Sequence, residues 1–130
     1  MQDTLIDPPL RARARRNKRV SCPESSPLLQ IRGIAPGSHT LAYCDSNTLG
    51  SRRKPDGAIC IQVFVAIADR ADAPLEEARF YRNFTTSPAV VSFDAKDNCK
   101  IATYYARWST RKGECGPWSM PVSMTIAAMA

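Results

Sequence analysis

The stretch that most restricts the fold is Ala58 to Ala68, AICIQVFVAIA, the longest apolar run of the chain. Its length would suit a buried helix, yet Ile59, Ile61, Val63, Val65 and Ile67 alternate with Cys60, Gln62, Phe64 and Ala66. Period-two alternation and β-branched content favour an extended strand instead. Gln62 belongs on the less buried side, so the isoleucine and valine series is expected to face the core, with Phe64 outside or under a loop. A strand this apolar sits in the middle of a sheet, and the rest of the chain must supply its neighbours.

The last quarter supplies two. Ala102, Tyr104, Ala106 and Trp108 fall on one side of an extended chain, and Thr103, Tyr105, Arg107 and Ser109 on the other. Val122 to Ile126 alternates as well. Between them, Ser109 to Glu114 has the polar character and the glycine of a hairpin connection, and Pro117 delays ladder pairing until the chain is past it. Earlier, Leu28 to Ile34 reads as an edge strand closed by Ala35-Pro36-Gly37. Ser38 to Cys44 sets His39, Leu41 and Tyr43 against Thr40, Ala42 and Cys44, and either side could be the buried one. In Ala78 to Thr86, Phe80, Arg82 and Phe84 oppose Arg79, Tyr81 and Asn83. Ala89 to Phe93 adds a further short strand, and Pro74 opens a single helical turn ahead of Glu76 and Glu77. About seven short strands joined by polar segments, with ten prolines in 130 residues and no long helix, read as one all-β domain. The expected architecture is a two-sheet antiparallel sandwich.

The net charge of +6 is unevenly spread. Residues 1–22 carry Arg11, Arg13, Arg15, Arg16, Lys18 and Arg19 against Asp3 and Asp7, a balance of +4, while the remaining 108 residues hold only +2. Residues 1–27, rich in Pro, Arg and Ser, cannot offset the entropy of ordering by burial and read as a basic disordered tail. The run RARARRNKR could contact phosphates of nucleic acid or of acidic lipids, with Arg11, Arg13, Arg15 and Arg16 as candidate phosphate contacts. A solvated tail is the plainer reading, because no aromatic residues interleave the cations for base stacking. No stretch is apolar enough for a membrane helix, and the basic run is followed by no apolar segment of the kind a secretory signal has, so a cytoplasmic address is expected.

Cys22, Cys44, Cys60, Cys99 and Cys115 are widely and irregularly spaced, with no CxxC pair, and His39 is the only histidine. Buried thiols in a reducing compartment are expected, with a single bridge such as Cys44 to Cys60 left open. Nothing in the pattern calls for a metal or a cofactor. Glu76 and Glu77 are the one close carboxylate pair, but loop neighbours share water and lack the contrasting environments that acid–base work needs. No nucleophile, base and orienting group form a set, and neither GxSxG nor a phosphate-cradling glycine loop occurs.

A family resemblance adds to this. TYYARW followed by KGECGPWSMPVSMTI resembles the last two strands of a fibronectin type III domain, and the similarity spans residues 28–130, best over 57–127. It implies an immunoglobulin-like sandwich used for interaction. The tryptophan the family usually carries in its second strand has no counterpart near His39 to Cys44. The chain also resembles small bacterial proteins sharing the pattern KPDG, QVFVAI, ARFY, YYARW, GPWS, a resemblance that implies no activity. Gly116-Pro117-Trp118-Ser119 is similar to half of the Trp-Ser-x-Trp-Ser motif of cytokine-receptor modules, which implies Arg107 as the partner of Trp118 in a structural latch. Met120-Pro121 replaces the second Trp-Ser, so no receptor role is implied.

The expected function is therefore a non-catalytic interaction module for a protein partner. Arg52, Arg53 and Lys54 in a loop, together with Tyr81 and Tyr105, are its candidate surface, since exposed aromatics and arginines are common anchors. Nucleic-acid association through the Arg-rich arm is the alternative. A part in a secreted assembly would want an export signal.

Overall fold

The computed structural model describes residues 22–47 and 53–129. Seven strands follow one another as β1 (Pro27–Ala35), β2 (Ser38–Asp45), β3 (Ala58–Ala68), β4 (Arg79–Phe84), β5 (Ala89–Ser92), β6 (Ile101–Thr110) and β7 (Val122–Thr125). Two single 3-10 turns, Leu75–Glu77 and Ala95–Asp97, complete the regular structure of the described residues. No helix among them is long and apolar enough to cross a membrane.

All pairings are antiparallel, in a three-stranded sheet of order β1-β2-β5 and a four-stranded sheet of order β4-β3-β6-β7. The apolar run is thus an inner strand. It pairs with β6 from Ala58 opposite Thr110 to Ala68 opposite Ile101, and with β4 on its other flank. Consecutive strands change sheets after β2, β4 and β5, so the chain wraps its own core. The β1–β2 hairpin turns through Pro36-Gly37. Proline fixes the first central residue, and Gly37, at φ 73°, takes the left-handed position that such a turn reserves for glycine.

Between the sheets lie Leu29, Leu41, Tyr43, Ile61, Val63, Val65, Ala89, Val91, Ala102, Tyr104, Ala106, Trp108 and Ile126. On β2 the buried side is therefore that of His39, Leu41 and Tyr43, and Tyr43 meets Trp108 edge-on at 5.9 Å. Two expectations for β3 change. Ile59 and Ile67 are 45% and 40% exposed. Ile59 is the extra residue of a bulge, since Ala58 faces Thr110 and Cys60 faces Ser109, which turns it off the core side. Cys60 and Ala66, on the supposedly open side, are buried. Pro27 lies in β1 and Pro23 is buried, so residues ahead of position 28 are placed against the sandwich. Residues 1–21, with the basic run, lie outside the described residues.

Candidate functional site

The outer surface of the four-stranded sheet is covered in two places, and both coverings bear on the expected site. Beyond Gly113 the chain turns back along β6 before β7 begins. The Gly116 N–H donates to the Trp108 carbonyl at 3.0 Å, and Ser119 N–H to that of Ala106 at 2.7 Å. This lays Trp118 on the sheet, with the Arg107 guanidinium 4.3 Å from its ring centroid. Phe64 stands edge-on to Trp118 at 5.0 Å and to Phe80 at 5.5 Å. Arg107 Nε donates to Gln62 Oε1 at 2.9 Å, so the guanidinium is fixed in its own plane as well as set over the indole.

The second covering is the segment between β3 and its 3-10 turn. Asp72 adopts φ 57°, a conformation a short polar side chain tolerates, and its N–H donates to Ser123 Oγ at 3.0 Å. Ala73 is carried over β6, where its carbonyl accepts the Tyr105 hydroxyl at 2.7 Å. Tyr105 is consequently only 9% exposed, and burial raises its phenol pKa. The expectation that Tyr105 is an accessible anchor is corrected: alternation places it outward, but a loop lies on top of it.

The other expected residues gather at β4, the terminal strand of its sheet. A bulge there sets Arg82 opposite Val63 and Phe80 opposite Phe64, leaving Tyr81 as the extra residue. Bulges re-aim side chains. Here Tyr81 stacks on Phe84 at 6.2 Å, and the Arg82 guanidinium lies 5.3 Å from the Tyr81 ring and 6.0 Å from that of Phe84. The Ser92 N–H donates to the Tyr81 hydroxyl at 3.1 Å, bridging the two sheets at their open side. Lys54 Nζ donates to the Thr85 carbonyl just past the end of β4 at 2.8 Å, which brings the basic loop to the same edge. Exposed Arg53 pairs with Asp56 at 3.7 Å. Arg52 lies outside the described residues, as do Arg11, Arg13, Arg15 and Arg16.

A groove of about 460 Å³ opens between the β4 edge and the end of β5. Val65, Ile67, Phe80 and Phe93 give it apolar lining, and Glu77, Arg79, Asp94 and Asp97 give it charged lining. Phe80 is 53% exposed. The residues missed in the sequence are Phe80, Arg79 and Arg82. An alternating strand ordinarily hides one of its two sides, and only the terminal position of β4 leaves both accessible.

Little here suits a reaction. Glu77 is engaged by Arg70 at 2.7 Å, with both side chains exposed. All five cysteines are free thiols, so Cys44 and Cys60 are unbridged. Burial raises the pKa values of Cys22 and Cys60, which keeps those thiols protonated and weakly nucleophilic. His39 is fully buried, with both ring nitrogens bonded.

Among solved structures, one titled "Myokine structure" superposes with a TM-score of 0.55 at 15% identity, covering 81% of this chain and 99% of that one. The solution structure of a fibronectin type III domain from human fibronectin type III domain containing protein 3 superposes with a TM-score of 0.51 at 11% identity, covering 84% and 87%. The fold is fibronectin type III-like. At such identities the likeness is one of architecture, and type III-like sandwiches differ in what their edges and loops present. No family model matches the chain, and no curated protein does.

Proposed function

We propose that the protein is a non-catalytic interaction module whose type III-like sandwich presents the β4 edge to a protein partner. One observation carries the reading: a terminal strand, paired on one side only among the described residues, gathers exposed Phe80 and Arg82, the tethered Lys54 and a groove with apolar walls. Aromatic and arginine side chains dominate binding energy at protein interfaces. The engaged state of Glu77 and His39 and the raised pKa values of Cys22 and Cys60 support a non-catalytic role.

A second reading, nucleic-acid association through Arg11, Arg13, Arg15 and Arg16, rests on the +4 balance of residues 1–22. Capture from a lysate of the source organism by the full chain separates the two. A protein retained by a variant with those four arginines changed to glutamine, and lost with Phe80→Ser plus Arg82→Glu, supports the module. Capture that follows the four arginines, falls steeply with salt and disappears after nuclease treatment overturns it.

A further inference from the structure

We propose that the free edge of β4 takes an extended, acidic peptide of a partner protein as a fifth strand of the four-stranded sheet, with one apolar side chain of that peptide seated in the neighbouring groove. The proposal rests on the module reading and supplies the chemistry of the partner.

The argument starts from the backbone. Each terminal strand carries a row of N–H and C=O groups that a peptide can complete, and strand addition draws its affinity from them. The β5 edge is partly closed, because the Ser92 N–H is taken by the Tyr81 hydroxyl. The β4 edge has no strand beside it among the described residues. Charge then sets the partner. Arg82 is held at this edge by the Tyr81 and Phe84 rings, and Lys54 is held beyond its end by the Thr85 carbonyl. Cations held this way, close to a docking backbone, favour carboxylates on the incoming strand.

The groove fixes the direction. Of the charged groups lining the groove, Glu77 is paired with Arg70, and Asp94 and Asp97 outnumber Arg79, so the acidic residues of the peptide lie toward Arg82 and Lys54, and the position over the groove is apolar, set against Ile67, Phe80 and Phe93. Arginines on an edge also guard against unwanted pairing. A guard alone would have no use for apolar walls and a half-exposed phenylalanine beside it. A second copy fits poorly, because antiparallel pairing of two β4 strands brings their arginines close across the ladder. A nucleic acid fits poorly as well, since its phosphates would meet the carboxylates around the groove.

The test uses the full chain and four fluorescent probes: a strand-length peptide alternating Glu and Val, the same peptide with Lys for Glu, the Glu-Val peptide with Pro at alternate positions, and a single-stranded oligonucleotide. Fluorescence anisotropy is expected to report binding of the Glu-Val peptide, weakened about tenfold or more by Arg82→Glu and by the proline substitutions, with slowed hydrogen exchange at amides 79–84. Equal binding of the proline peptide, protection elsewhere, or an oligonucleotide that competes for the same edge overturns the proposal. Failure of every peptide, alongside a captured protein that is lost with Arg82→Glu, overturns the acidic strand and leaves the module reading standing.

Discussion

His39 Nδ1 lies 2.6 Å from the Tyr104 hydroxyl, joining β2 of one sheet to β6 of the other through the middle of the sandwich. The other ring nitrogen, Nε2, is 2.9 Å from the Thr125 carbonyl, which can only accept. Nε2 therefore carries a proton, and in the neutral ring Nδ1 accepts from the Tyr104 hydroxyl. The ring also stands edge-on to Phe93 at 5.3 Å, so one histidine ties β2, β6, β7 and the end of β5. Tyr104→Phe leaves a buried nitrogen without its donor and is expected to cost about 1–3 kcal/mol in urea unfolding. A double-mutant cycle with His39→Phe should show coupling of about 1 kcal/mol or more. Strict additivity would mean that the bond carries no net stability.

Stability should fall in alkali for a related reason. Burial pushes the Tyr43 phenol up to about 12, and that of Tyr104 further in the same direction. Both groups hold their protons more tightly in the folded state than in the unfolded chain, where a tyrosine titrates near 10. Their contribution is complete below about pH 10 and is lost as the pH climbs toward the folded values. The Tyr43 hydroxyl has no hydrogen-bond partner among the described residues. Tyr43→Phe should thus be neutral or slightly stabilising at pH 8, and should flatten the decline of urea midpoints above about pH 10. An unchanged slope, or a large loss at pH 8, contradicts the assignment.

Along β3, position should outweigh chemistry. Ile61 is fully buried between the sheets and Ile67 is 40% exposed. Ile61→Ala is expected to cost about 2–4 kcal/mol and Ile67→Ala less than about 1 kcal/mol, although both delete the same atoms. Comparable losses at the two positions would place the end of β3 inside the core.

This contrast marks where the sequence stops being readable. Strand identity is local: Ile61, Val63 and Val65 announce an extended chain by their spacing, and Tyr104, Ala106 and Trp108 announce the strand opposite. A bulge against a neighbouring strand is not local, so Ile59 looks like a core residue until β3 is set against β6. Tyr105 shows the same limit on the candidate surface, because its burial depends on Ala73, which is far away in sequence. Lys54 and Tyr81 were recognisable as candidates separately. Their meeting at one edge, beside Arg82, requires the topology β4-β3-β6-β7 and a bulge that no residue pattern in ARFYRNF reveals.

The stack of Arg107 on Trp118 should act as a stabilising latch between β6 and the segment leading into β7. Cation–π contacts range from about 0.5 to 2 kcal/mol as solvent is excluded, and Arg107 is half-buried and also bonded to Gln62. Arg107→Ala is expected to lose about 1–2 kcal/mol in chemical unfolding and to alter Trp118 fluorescence. Arg107→Lys should recover only part of this, since an ammonium cannot both lie flat on the indole and donate sideways to Gln62. Full recovery by lysine would show that charge alone suffices.

Gly116 makes the closest backbone approach of the latch segment. A Cβ there would lie 2.8 Å from the Pro23 carbonyl oxygen, a backbone atom that cannot swing aside as a side chain can. Gly116→Ala must therefore push residues 23–25 away from the end of β6, or shift the segment that holds Trp118. Either route is expected to cost about 1–3 kcal/mol, with faster hydrogen exchange or proteolysis at residues 22–26 if the first is taken. Gly33→Ala is the control. Its Cβ would rest 3.4 Å from the Thr40 side chain, which can yield, so a loss below about 1 kcal/mol is expected. Equal and small effects at both glycines would mean that the chain entering β1 is not held against β6, and Pro23 would then be no part of the sandwich.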